Sequence, residues 1–486
     1  MRDDFEEEDD RDELSELLDR FEKMMEEQVE YFFDAEDFED IIDYYLEQHD
    51  SPRAQAAIEA AQHQYPYNSI FELKKAQLLA STNQEEKALK ILSRLERIFP
   101  NNFEIHYTRS FIYSKLSQHK LAIKELKKAL KLTDNPYEIL VTLAFEHEKI
   151  WEYEEAIRQL EKALEYDSTE ETIINELASF YDMAENLDKG VSYFQKFVEK
   201  NPYNVPGWFN LGILYNKLSL YEKSIEAFDF AIAIDPEYSP AYFNKGNAYA
   251  SASMYEKAIE TYRESLQHEA PDANAYCCIG ECYQKLQNYD DALFYFKLAT
   301  KLDTETYYAW YGIACIHYLQ GNLKPALVYV QKALHYFEEF ERIKYLEGDI
   351  FMALGKYDKA IDTYNRVAAN IPKNQDIWFD LASAFDAIND SASAISVLKE
   401  GCSYHHNENI DLLYYCIEYI IEHDSVAHAL PYIKIAYPLQ PSIIEILFMK
   451  FPMLKNNKEY LSFLNSLFDK GDNSISEKDD SSPSIN

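Results

Sequence analysis

A repeat with a period of 34 residues constrains this chain more than any other feature. Three stretches show it: GWFNLGILYNKLSLYEKSIEAFDFAIAIDP from Gly207, AYFNKGNAYASASMYEKAIETYRESL from Ala241, and AYCCIGECYQKLQNYDDALFYFKLATKLD from Ala275. Each begins 34 residues after the one before. With Val205 as the first residue of one unit, the frame runs back to Ala35 and on to Ser442 without an insertion, which gives twelve units. The twentieth residue of each unit is small in eleven of the twelve, from Ala54 through Ala258 to Ala394, with His428 the exception. The eighth is also small in eleven, Ile42 being the exception, and the twenty-fourth is always large and apolar, from Ile58 through Phe228 to Tyr432. Small columns let two helix backbones approach, and large ones fill the space beside them. Pro66, Pro100, Pro202, Pro236 and Pro372 share another column, where a helix must stop. Only 11 of 486 residues are glycine, so the many turns of an all-β chain are not provided for. Each unit reads as a helical hairpin.

The repeats divide the chain. Residues 1–34 are expected to form an acidic amphipathic N-terminal helix or cap, and residues 35–442 the array. Residues 443–469 are expected to form a C-terminal capping helix region, and residues 470–486 a disordered tail with almost nothing to bury. Residues 1 to 52 hold 23 Asp/Glu against 4 Lys/Arg. Within them Leu14, Leu17, Leu18, Phe21, Met24, Met25, Val29 and Phe32 recur at steps of three and four, the stripe of a helix with an acidic outer face.

The unit from Val205 resembles the tetratricopeptide repeat (TPR) family through Trp208, Leu211, Gly212, Tyr215, Phe228, Ala231 and Pro236. The whole is similar to a long bacterial-type TPR array. The resemblance implies an all-α, right-handed superhelical solenoid whose first helices line a concave groove for peptides or proteins. The fifth and ninth residues of each unit then project into that groove. They include Tyr107, Phe111, Phe145, Phe209, Phe243, Asn247, Tyr311, Tyr345 and Phe379, with Tyr308 and Tyr318 nearby. Large apolar groups on a concave face suit partner capture; packing against adjacent units is the competing use. The carboxylate clamp of some TPR proteins is not expected, since Phe209 and Phe243 stand where its lysine would be. Asn210 and Asn244 form only a fragment of the asparagine ladder seen in TPR arms that bind extended peptides.

No phosphate loop, HExxH, GxSxG or CxxC pair occurs, so no enzyme and no cofactor are expected. Cys278, Cys282 and His317 could hold a metal if a fourth ligand approached. A small-ligand or metal-binding module in the Cys277–His317 region is therefore one alternative function, and a structural self-assembling protein is another. The duller reading makes the cysteines small core residues and sets His317 in a column of tyrosines. The aromatic column Trp208, Tyr242, Tyr276, Trp310 and Trp378 reads as core. Lys115, Lys149, Lys217 and Lys285 share the thirteenth position, where a cation suits a helix end. The balance of 47 Lys+Arg to 86 Asp+Glu disfavours nucleic acid and anionic membrane as partners. With no signal peptide and no long apolar run, a cytoplasmic interaction scaffold or adaptor with a protein or peptide partner is the expected reading.

Overall fold

The structure is a computed structural model that describes residues 3–27, 30–268 and 270–472, with side chains from residue 14 to residue 467. Among the described residues there are 27 α-helices, one short 3₁₀ turn and no strand. The chain is all-α, built of consecutive helix pairs, and it divides into two compact units, residues 1–251 and 252–486. Val29 of the N-terminal stripe and residues 473–486 of the expected tail lie outside the described residues; helix Lys458–Asp472 continues three residues into that tail.

In eleven hairpins the first helix begins at the first residue of the 34-residue frame, as in Phe103–Lys115, Val205–Lys217 and Glu341–Ala353. The second begins at the seventeenth, as in His119–Ala129, Tyr221–Ile234 and Tyr357–Asn370. The helix starts have a local cause. Asn68, Asn102, Asn204 and Asn374 stand one residue before a first helix, and their side chains accept hydrogen bonds from its first-turn N–H groups. The turn inside each of these hairpins puts its fifteenth residue in the left-handed region. Only Gly321 and Gly355 there are glycines; Asn83, Ser117, Trp151 and Glu185 are among those held at positive φ.

The small and large columns meet inside each hairpin. A Cβ on Gly212 would lie 2.6 Å from the Phe228 ring, and one on Gly348 would lie 2.3 Å from the Tyr364 ring. The twenty-fourth-position ring therefore rests directly on the eighth-position backbone. Trp208, Trp310 and Trp378 each donate their indole N–H to a backbone carbonyl six residues earlier, at 2.9 Å. That bond ties each first helix to the turn that leads into it.

The twelfth hairpin departs from the unbroken frame. Five residues, 405–409, precede helix Ile410–His423 where most other junctions have four, and His406 and Asn407 are both left-handed. Helix Val426–Leu439 consequently starts one residue late, capped by Ser425. The slip moves Ala429 and Ile433 into the small and large columns, both fully buried, and leaves His428 exposed.

At the N-terminal end, Phe21 and Met24 of helix Asp3–Glu27 are buried against Phe33, Phe38, Tyr45 and Ile58 of the first hairpin and its approach. Arg20 donates to the Phe32 carbonyl at 2.7 Å and lies over the Phe33 ring. At the other end, Leu447, Leu454 and Tyr460 close over the last hairpin's core.

Candidate functional site

In the first unit a cleft of about 470 Å³ opens between the first helices of hairpins 2, 3 and 4, Ser69–Ser81, Phe103–Lys115 and Tyr137–Glu148. Its apolar wall is Tyr107, Phe111, Val141 and Phe145, all fifth- or ninth-position residues. Phe145 and Val141 also pack on the core of hairpins 4 and 5, and Tyr107 packs on that of hairpin 3. Phe111 does not share that duty and is 55% exposed. Gln77 stands at the rim, and its amide makes no side-chain hydrogen bond among the described residues.

One end of the cleft is polar. Glu146 is 2% exposed, and its carboxylate accepts from Ser114 Oγ at 2.6 Å, Lys149 Nζ at 2.8 Å and His119 Nδ1 at 3.0 Å. Burial works to raise this carboxyl, but the hydrogen bonds from Lys149, Ser114 and His119 outweigh it and hold it below the ordinary carboxylate range. The cleft thus offers an apolar trough of ligand size with a neutralised, hydrogen-bonded end. Behind it lies an ionic cluster that sequence reading missed. Buried Arg109 donates to Glu125 at 3.0 Å and to Glu96 at 2.8 Å, and His106 meets Glu125 at 2.7 Å. The signal was there: His106 and Arg109 stand in columns that hold Trp208 and Leu211 in the sixth unit.

The remaining groove candidates are more closely tied to packing. The Phe209 ring lies 5.8 Å from Phe228 and 5.4 Å from Tyr238. Phe243 and Asn247 are half-buried on helix Ser239–Ser251. In the second unit Tyr308 stacks on Tyr307 at 4.2 Å, and Phe379 meets Tyr415 edge-on at 4.9 Å. Tyr311 and Tyr318 rest on the core of hairpins 9 and 10. Tyr345 donates to Asp380, and Tyr364 donates to Asp349 at 2.7 Å. Burial, with Asp380 nearby, pushes the Asp349 carboxyl up to about 6 despite the Tyr364 bond.

The other sequence motifs resolve into structure. Lys115 donates to the carbonyl of Ala80 at 2.8 Å, so it serves the end of the preceding first helix rather than its own. Lys149 is bound to Glu146, and Lys217 meets Asp182 at 2.6 Å. Asn210 of the ladder fragment is buried, with its amide on Asn175 at 2.6 Å. His317 stacks on Tyr329 at 5.4 Å, and burial pushes Cys278 and Cys282 up to about 12, which leaves both as thiols. Among the described residues no three His, Cys, Asp or Glu side chains are placed to hold a metal ion, and no helix is long and apolar enough to cross a membrane.

Profiles of the tetratricopeptide repeat match residues 40–103, 103–136, 205–238, 239–267, 273–305 and 345–402, together about half of the chain. The chain belongs to the tetratricopeptide repeat family. No curated protein matches it. Among solved structures it is similar to a chain of the APC/C hetero-tetramer Cut9–Hcn1, at 16% identity over 82% of this chain and 90% of that one, with a TM-score of 0.42. A TPR protein from Parabacteroides merdae ATCC 43184 is also 16% identical, over 51% of this chain and 98% of that one, with a TM-score of 0.42. YrrB, described as a TPR protein with an unusual peptide-binding site, is 21% identical over 40% of this chain and 97% of that one, with a TM-score of 0.31. The repeats mark the chain, in general terms, as a protein-interaction scaffold.

Proposed function

We propose that this scaffold has no catalytic role and holds an extended peptide segment of a partner protein along its first helices. In this reading the cleft between hairpins 3 and 4 takes one large apolar side chain. The observation that carries the proposal is Phe111, which stands 55% exposed over a trough whose other walls are fixed by the core. A half-exposed aromatic beside a preformed cavity gains burial only when something fills that cavity. The Gln77 amide would pair with the partner's backbone, and Tyr107 and Phe145 would flank the inserted side chain. The other groove residues, Phe209, Phe243, Asn247, Tyr308, Tyr311, Tyr318, Tyr345 and Phe379, would extend the contact with smaller gains, since most are already engaged in packing.

Selection of peptides from a random display library on the intact chain tests this. The recovered peptides should share a Leu, Met or aromatic anchor. Phe111 exposes roughly 100 Å² of an aromatic side chain worth ~200 Å², so Phe111→Ala should weaken them by about 2–3 kcal/mol, roughly a hundredfold. Its melting temperature should hardly change. Peptides that bind Phe111→Ala and Phe145→Ala as well as the parent would place the ligand elsewhere.

A further inference from the structure

The charge of this chain is not uniform. The whole carries 47 Lys+Arg against 86 Asp+Glu, yet residues 85 to 131 carry 11 Lys/Arg against 5 Asp/Glu. Much of that excess lies on the second helix of hairpin 3, His119–Ala129, and the residues that follow it. Lys120, Lys124, Lys127 and Lys131 recur at steps of four, three and four, so they form one stripe along the helix. All four are exposed, and none has an acidic partner among the described residues. The one carboxylate of this helix, Glu125, points inward and is already bonded to His106, Arg109 and Lys128. One unit earlier, exposed Lys90 and Arg97 hold the same repeat positions as Lys124 and Lys131 and are likewise without an acidic partner among the described residues. Several lysines elsewhere on the chain are paired instead: Lys74 with Asp43, Lys217 with Asp182, Lys245 with Asp229.

We propose that this lysine stripe docks the acidic amino-terminal segment, residues 1–13, of a second copy of the chain. The segment has the complementary chemistry, with nine Asp/Glu, two Arg and the apolar Phe5. Leu121, 42% exposed beside Lys120 and Lys124, gives that phenylalanine a place to rest. Helix Asp3–Glu27 is anchored by Phe21 and Met24, which lie in its second half. The acidic half is therefore not needed for that anchor. Within one chain the anchor sits on hairpin 1, two hairpins before the stripe; a second copy brings the segment to the stripe without unpacking Phe21. The net charge of -39 repels the two copies at long range. At physiological ionic strength the Debye length is ~8 Å, which mutes that distributed repulsion more than a direct contact. A single contact of this kind links copies head to side, and a reciprocal pair of them closes a two-fold dimer.

Sedimentation velocity of the intact chain across protein and salt concentration tests the proposal. At physiological salt the mass should rise above the 57.0 kDa of one copy as concentration increases, and should return to it at high salt. Truncation of residues 1–13, or Lys120→Glu with Lys124→Glu, Lys127→Glu and Lys131→Glu, should each weaken association at least tenfold with an unchanged melting temperature. A chain with the acidic residues of 1–13 changed to Lys should fail to associate alone, yet should pair with the lysine-to-glutamate chain. A fluorescein-labelled peptide of residues 1–13 should bind the parent and not the reversed stripe. A chain that remains a single copy at all concentrations overturns the proposal. So does association that survives stripe reversal, or a stripe that binds an RNA oligonucleotide but not the peptide.

Discussion

Replacing Asp349 by asparagine should make the second unit more stable at neutral pH. Asp349 lies on helix Glu341–Ala353, half-buried, with its carboxyl pushed up to about 6 from an ordinary 3.8 by burial and by Asp380. The direction follows from proton linkage. Between pH ~4 and ~6 the folded state holds a proton on this group that the unfolded state has lost, so stability falls as pH rises through that window. Above pH ~6 the whole penalty is in place. At ~1.4 kcal/mol for each tenfold change in proton affinity, it amounts to about 2–3 kcal/mol. Asparagine removes the charge and keeps an oxygen to accept the 2.7 Å bond from Tyr364. A chain of this size is not expected to unfold in one step, so the readout should be local. Amide exchange in residues 341–370 should slow by roughly 30-fold or more in Asp349→Asn at pH 7.5. The gain should vanish when the two proteins are compared near pH 4. Equal or faster exchange in the variant at pH 7.5 would refute the reasoning, because the carboxylate would then be repaid by a partner that the geometry does not show.

Two further outcomes test the packing. Gly348→Ala places a Cβ 2.3 Å from the Tyr364 ring, which is 1% exposed, so it should cost about 1–3 kcal/mol and speed exchange in the same hairpin; an unchanged hairpin would mean the two columns do not touch. Deletion of residues 1–30 strips Phe21 and Met24 from the first hairpin, an expected loss of about 3–5 kcal/mol there, whereas deletion of 1–13 should leave that hairpin's exchange as it was; equal protection in both deletions would deny the helix its role as a cap.

The period, the helix pairs and the small and large columns were all legible, because each rests on a side-chain volume that recurs every 34 residues. The cleft was legible in part. Tyr107, Phe111 and Phe145 come together as the fifth and ninth positions imply. Three things were not legible. The one-residue slip before hairpin 12 is set by two left-handed residues, His406 and Asn407, and neither is a glycine that would announce it. The thirteenth position of Lys115 places it at its own helix end, but its side chain is long enough to reach the Ala80 carbonyl of the preceding hairpin. The polar residues His106 and Arg109 in apolar columns mark the third unit as unusual, but only three-dimensional proximity reveals that Glu125 is the carboxylate they share.

A repeat divides its residues into those the stack requires and those it leaves free. The eighth, twentieth and twenty-fourth positions are required, since a large apolar side chain must meet a small residue there. The ninth is less constrained, and the two units use it differently. The first places Phe111 and Phe145 at it; the second places Glu281, Cys315 and Asp349. Phe111 is exposed where an alanine would cost the stack nothing, and Asp349 carries a charge that Tyr364 does not need as its acceptor. Neither the Phe111 ring nor the charge of Asp349 is required by the contact between the eighth and twenty-fourth positions, and both stand at the same repeat position on a first helix. Two unrelated departures from what the fold needs, at one position, make that position the first to vary in testing the proposed partner contact. On the proposed peptide-holding reading, the first unit would select for an apolar side chain, and the second for a group that can neutralise or hydrogen-bond a half-buried carboxylate.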